Sequence, residues 1–284
     1  MATGTWPDTI DCLLASVFAL KGCRVPALKI AVQLSSLRMP LRKALVAAAQ
    51  MGVQGVEIDA RGELRPQDLS QTGMRELKRM LEDHNLRVSA VSFRTRRGYD
   101  VADEIDRRVA ATKTAMKFAA DLRATVVVNQ VGNVPAESSG RNWNQLVDSL
   151  TEIAKYGLHV GALLAAQTGT ESGADLARLL DALPEGGLGA DLDPGNLIAH
   201  GFSPLEAVES LGPKILHVHA RDGVRDLARG RGLEVPLGRG SADFPALLGA
   251  LEDHQYRGFF TVAREDSDNP VAEVAAAVEY LTNI

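Results

Sequence analysis

Residues 86–129 read LRVSAVSFRTRRGYDVADEIDRRVAATKTAMKFAADLRATVVVN. The stretch opens on a short β-branched run, Leu86–Phe93, and passes through a polar loop into an amphipathic segment from Asp103. There Ile105, Val109, Thr112, Met116 and Ala119 share one helical face. It closes on a second apolar run, Thr125–Asn129. Runs this short, bounded by polar segments, suit buried strands. The unit is strand, loop, helix, strand.

The same unit recurs in both directions. Upstream lie Ile30–Leu34 and Val53–Ile58; downstream lie Val160–Ala166, Leu188–Leu192, Ile215–His219 and Gly258–Val262. The fifth and sixth runs are rich in Ala, Leu and Gly. Helical stretches fall between: Leu41–Met51, with Gly52 at the C-cap, then Glu76–Asp83, Asp103–Ala120, Gln145–Tyr156, Gly173–Leu183, Pro204–Leu211, Phe244–Asp253 and Val271–Leu281. Eight alternations predict an α/β chain with one (β/α)8 TIM barrel over residues 29–284. An open doubly wound sheet is the competing arrangement.

Residues 1–28 read as an N-terminal extension, either an appended helix or a poorly ordered arm. Asp8 and Asp11 precede the apolar run Cys12–Leu20 where an export signal would carry basic residues, so a cytoplasmic location is expected. The 284 residues are 45% hydrophobic and 24% charged, which excludes disorder. Cys12 and Cys23 are too few for a disulfide scaffold or a four-cysteine zinc module. A net charge of −5 argues against nucleic acid as a partner, and no apolar run is long enough to span a membrane. The expected partner is a small molecule, and homo-oligomerisation is compatible with the fold.

In a TIM barrel the site lies at the C-terminal strand ends. Strand two ends Glu57-Ile58-Asp59, and period-two alternation puts both carboxylates on one side. Strand four ends Asn129-Gln130, strand five Gln167-Thr168-Gly169, and strand six Asp191-Leu192-Asp193-Pro194. Strand seven ends His217-Val218-His219, with Asp222 three residues further placed to orient the His219 ring. Asp193 and His219 fit a divalent-metal half-site. The competing reading is a turn aspartate before Pro194 and a histidine bonded to backbone.

The phrases GVEIDARG (55–62), LDPGNL (192–197), HVHARD (217–222), VPLGRGSADF (235–244) and GFFTVARED (258–266) carry a resemblance. Over about residues 29–283 the chain resembles the xylose isomerase-like TIM barrels, the sugar phosphate isomerase/epimerase superfamily. The resemblance implies a divalent cation at the barrel mouth, held by a Glu on strand five, an Asp on strand six, a His on strand seven and a Glu on strand eight. In epimerase-type members the two glutamates also move the proton. Asp193 and His219 match, but Gln167 and Ala263 stand where the glutamates belong, and Asn196 stands where some members have a histidine. Gln167 can offer a neutral oxygen as a third ligand but is no base near neutral pH, and Ala263 offers nothing. The resemblance therefore implies a degenerate site with Mn²⁺, Mg²⁺ or Zn²⁺ weakly held or absent. Glu57, Glu171 and Glu265 are candidates for a displaced carboxylate. Glu265 lies about 6.6 Å beyond Ala263 at ~3.3 Å per residue.

The strand ends also carry arginines: Arg61, Arg94, Arg96, Arg97, Arg221, Arg225, Arg229, Arg231, Arg239 and Arg264. Guanidinium forks suit phosphate or carboxylate, and Gly238-Arg239-Gly240 is placed to offer backbone N–H groups to an anion. Nearby carboxylates such as Asp59, Asp222 and Glu265 could equally pair with them. Two functions follow. One is an isomerase or epimerase acting on a sugar, sugar acid or sugar phosphate by proton transfer next to a carbonyl. Its catalytic residues are His219, Glu57 and Glu265, and its substrate contacts are Arg61, Arg96, Arg97, Asn129, Gln167, Arg221, Arg239 and Arg264. The other is a non-catalytic carbohydrate- or anion-binding or regulatory protein on the same barrel. An abasic-site endonuclease shares this fold but needs more histidines than the six here, of which His84, His159 and His254 fall away from the mouth.

Overall fold

A computed structural model describes residues 28–62, 64–226 and 231–284. The N-terminal extension, with Cys12 and Cys23, lies outside the described residues apart from Leu28. Eight parallel strands close a barrel: β1 (Lys29–Gln33), β2 (Gly55–Asp59), β3 (Arg87–Ser92), β4 (Val126–Asn129), β5 (Leu163–Gln167), β6 (Leu188–Leu192), β7 (Ile215–Ala220) and β10 (Phe259–Val262). Each expected run supplies one strand. β10 pairs with both β7 and β1, which closes the barrel and rules out the open sheet.

The helices are α1 (Leu41–Gln50), α2 (Gln71–Asp83), α3 (Ile105–Asp121), α4 (Arg141–Val160), α5 (Gly173–Asp181), α6 (Pro194–His200), α7 (Pro204–Leu211), α8 (Phe244–Asp253) and α9 (Pro270–Asn283). α2 and α4 begin earlier than apolar periodicity suggests. The Ser70 hydroxyl caps α2 by accepting from the Gly73 N–H, and such caps precede the first apolar residue. Among the described residues, and short 3-10 turns apart, a helix and a ribbon have no counterpart in the sequence pattern. One is the short helix α6. The other is an antiparallel ribbon, β8 (Asp222–Asp226) with β9 (Arg231–Val235), set between β7 and α8.

Alternation sorts each strand. Val127 belongs to the large core between barrel and helices, whereas Val126 and Val128 form a second cluster with Ala90 and Ala165 inside the barrel. The rest of the interior is polar: Gln33, Glu57, Ser89, Asp191, His217, His219 and Thr261 are all buried. Pairing register shifts between Val56 and Glu57 and again between Ala190 and Asp191. Such irregularities re-aim side chains at barrel rims, and here they fall at the two carboxylates that meet inside. A close crossing of loops fixes the mouth above β3 and β4. A Cβ on Gly98 would lie 2.1 Å from the Gly132 Cα, so only glycine fits there.

Candidate functional site

The barrel interior just beneath the mouth holds a chain of buried ionisable groups. His219 sits between two carboxylates, its Nδ1 2.6 Å from Asp191 Oδ2 and its Nε2 2.8 Å from Glu57 Oε2. His217 Nδ1 lies 2.8 Å from Asp191 Oδ1, and its Nε2 lies 2.8 Å from the Thr261 hydroxyl. Gln33 Nε2 donates to Glu57 Oε1 at 2.7 Å. Glu57 and Asp191 are 0% exposed. Burial alone would push both carboxyls up. The two histidines overcome it, holding Glu57 at about 2 and Asp191 well below the usual range. Burial likewise opposes the charged His219, but Asp191 and Glu57 raise its pKa well above the ordinary value. The result is an imidazolium clamped by two carboxylates. Asp191 and His217 were missed as partners in the sequence, although alternation with Asp193 and His219 aims both pairs inward.

Asp222 does not orient His219; Asp191 does. The Asp222 carboxylate instead accepts from the N–H groups of Gly223, Gly238, Gly240 and Ala242 at 2.8–3.0 Å. The anion cradled by the Gly238-Arg239-Gly240 loop is thus the chain's own Asp222. A Cβ on Gly240 would lie 2.1 Å from its Oδ1.

At the mouth, Asp193 serves first as the cap of α6. Its Oδ1 accepts from the Asn196 N–H at 2.9 Å, and Pro194 takes the first helical position. Its Oδ2 accepts from Gln167 Nε2 (2.9 Å) and from Arg221 Nη1 (3.0 Å). The Asn196 side chain is likewise used, donating to the Thr168 carbonyl. Glu234, brought in by β9, receives Arg221 Nε at 3.0 Å and lies 2.8 Å from Arg264 Nη1. Arg264 also pairs with Glu273 at 2.7 Å. No sequence signal placed Glu234 here, because the ribbon that carries it was not anticipated.

Glu265 stands beyond the end of β10, paired with Arg94 and 3.6 Å from Arg221 Nη1. Burial opposes its ionisation, but Arg221 and Arg94 hold its pKa below the ordinary value. A pocket of about 400 Å³ opens here, walled by Gln33, Asp59, Arg61, Arg94, Arg264 and Glu265 among others. The remaining substrate candidates lie elsewhere. Arg96 and Arg97 line a second cavity beside the mouth. Asn129 is 0% exposed, donating to the Tyr99 hydroxyl and accepting from the Thr95 N–H. Arg239 is exposed on the loop between β9 and α8, outside the walls of either cavity. Glu171 is buried behind the β5 loop, and desolvation pushes its carboxyl to about 7.

Could these residues hold a divalent cation? Ligand atoms of Glu57, His217 and His219 come within 4.8 Å of one another. Both His217 nitrogens and His219 Nδ1 are committed to Asp191 and Thr261, however. Within this cluster Glu57 Oε2 and His219 Nε2 lack a well-aligned hydrogen bond, and they face each other. At the mouth, Arg221 and Gln167 hold Asp193 Oδ2 and Ala263 contributes no donor. Two open donors fall short of the three or four protein ligands that zinc takes, and a guanidinium already neutralises the mouth carboxylate. A resident divalent cation does not fit this arrangement.

A protein-family model described as xylose isomerase-like TIM barrel matches residues 45–284. An inosose dehydratase of Bacillus thuringiensis (strain Al Hakam) is 26% identical over 240 residues, covering 72% of this chain and 79% of that protein. A xylose isomerase domain protein from Planctomyces limnophilus superimposes with a TM-score of 0.80 at 23% identity, over 91% of this chain and 97% of that one. IolI protein, solved with a bound zinc atom, superimposes at 0.74 with 18% identity, over 90% and 96%.

Proposed function

Because the chain belongs to the xylose isomerase-like TIM barrel family, we propose that it is a carbohydrate-modifying enzyme. It withdraws a proton from the carbon next to a carbonyl in a small, anionic polyol bound at the barrel mouth. The observation that carries this reading is the mouth pocket. Its 400 Å³ suits a six-carbon sugar or cyclitol, and Glu265 stands on its wall beside Arg94. Glu265 is ionised at neutral pH and can accept a proton. A substrate oxygen that takes N–H donors from Arg94 or Arg221 draws them away from Glu265. That raises the basicity of the carboxylate while the guanidinium polarises the carbonyl.

The proton then passes from carbon to a Glu265 oxygen, and the electron pair moves onto the carbonyl oxygen as an enediolate. Delivery of that proton to the former carbonyl carbon, with the hydroxyl proton passing to the other oxygen, is isomerisation; reprotonation of the original carbon from the opposite face is epimerisation. Loss of a β-hydroxyl as water is dehydration, the reaction in the name of the Bacillus relative. All three share the first step. Arg61 holds the anionic end, and Arg264, tied to Glu234 and Glu273, fixes the pocket wall. Glu57, bonded to the pocket residue Gln33, and His219 form a fixed charged layer deeper in the barrel, and Gln167 positions Asp193.

The test is deuterium uptake in D2O, followed by NMR, from inososes, ketohexoses and ketohexose phosphates. At least one should exchange, and Glu265→Gln should slow the exchange about a hundredfold or more. If a compound raises the melting temperature but none exchanges, the proposal fails. The non-catalytic binding protein would then stand, a reading that Gln167 and Ala263 favour by replacing the family's two glutamates.

A further inference from the structure

Beside the mouth, a cavity of about 780 Å³ lies among the loop after β2, the loop after β3 and the first turns of α3. Six arginines line it: Arg61, Arg65, Arg96, Arg97, Arg107 and Arg108. Only two carboxylates among the described residues do so, Asp103 and Glu104, a formal surplus of four positive charges. These two acids pair with Arg97 and Arg107. Arg65 Nε donates to the Arg61 carbonyl, and Arg61 lies 5.5 Å over the Phe93 ring. Arg108 donates to the backbone carbonyls of Val101 and Asp103, and its buried Nε has no partner. Arg61, Arg65, Arg96 and Arg108 thus have no carboxylate partner among the described residues. Like charges gathered around one concavity repel, with screening over a Debye length of about 8 Å in physiological salt. An anion seated among them removes that repulsion, and guanidinium forks match phosphate oxygens bidentately.

Arg61 also lines the mouth pocket, so the two spaces share a wall. We propose that the arginine-lined cavity binds a phosphate or diphosphate ester group of the substrate whose carbonyl end enters the mouth pocket past Arg61. This deepens the reading above and rests on it for the second half of that statement only. The substrate class becomes a sugar or cyclitol carrying a phosphate or diphosphate group, larger than a lone six-carbon ring. A small ligand suits the site better than a nucleic acid. The space is concave with Phe93, Ala60 and Ala111 in its walls, and the chain as a whole carries −5.

Calorimetric titration with inorganic phosphate and with inorganic pyrophosphate tests this without any turnover. One saturable site is expected, and the tighter of the two ions identifies a mono- or diphosphate group. Arg65→Glu with Arg96→Glu should weaken binding roughly a hundredfold. Arg75→Glu with Arg79→Glu, the same charge change on α2, should alter it less than about twofold. Glu265→Gln should leave it unchanged, which separates this proposal from the catalytic one. Circular dichroism melting confirms that each variant is folded. No saturable binding of either ion overturns the proposal. So does equal loss in both arginine pairs, or competition by a single-stranded oligonucleotide at lower concentration than pyrophosphate.

Discussion

The two sides of this barrel mouth handle charge in opposite ways. From β5 to β10 nearly every charge is answered by another: Gln167 and Arg221 on Asp193, Glu234 between Arg221 and Arg264, and Glu273 on Arg264. Around β2 and β3 the arginines outnumber the carboxylates among the described residues, and several have no carboxylate partner there. Charges satisfied within the fold hold a shape. Charges left over are available to a ligand, so the Asp193–Arg221–Glu234–Arg264 network holds the mouth's shape and the β2–β3 side offers unpaired guanidinium groups.

The largest effect should come from the most deeply buried charges. His219→Ala leaves Glu57 and Asp191 buried without the cation between them, and urea unfolding should show a loss of about 3–5 kcal/mol. A loss below about 1 kcal/mol would remove the clamp from the account.

Glu171 sharpens the comparison as the exception, a buried carboxyl on the β5 side with no cation bonded to it among the described residues. Its folded pKa of about 7 lies above the ordinary 4.5, so the folded state holds the extra proton. Its contribution is fully present below pH 4.5 and is lost as pH rises through 7. Glu171→Gln should therefore gain on the wild type between pH 5 and pH 8, by up to about 3 kcal/mol, and level off above that. Denaturant melts across pH would show it; a constant difference would refute it.

The next effect is a conversion. Gln167→Glu, Ala263→Glu and Arg221→Ala together remove the guanidinium from Asp193 and restore two carboxylates. Calorimetry should then find Mn²⁺ bound roughly a hundredfold or more tighter than by the wild type. Micromolar binding by the wild type itself would break the contrast. The smallest effect concerns stability on the other side. Arg65→Glu with Arg96→Glu should change unfolding free energy by less than about 0.5 kcal/mol, because neither arginine has a carboxylate to lose among the described residues.

The barrel was legible in the sequence because each strand buries a short apolar run and each helix an apolar stripe, both local patterns. Val126–Asn129 and Ile105–Asp121 needed no partner to be recognised. Part of the site was legible too. Asp193 and Glu265 follow strands, His219 lies near the end of β7, and the identities of Gln167 and Ala263 can be read from single positions. Asp222 shows where that reasoning stops. Its spacing from His219 suggested a ring partner, but four backbone N–H groups from the chain on either side of β9 take it instead. Glu234 was invisible for the same reason, since its ribbon carries neither a barrel-strand run nor a helical stripe.

By itself, then, the sequence determined the (β/α)8 order, the strand ends that form the mouth and the residue types that stand there. These depend on periodicity and on residue identity. The tertiary structure decided which charges meet: His219 between Glu57 and Asp191, Arg221 on Asp193, and arginines of three separate segments around one cavity. Electrostatic pairing depends on distances of a few ångströms between residues far apart in the chain, and only the closed barrel sets those distances.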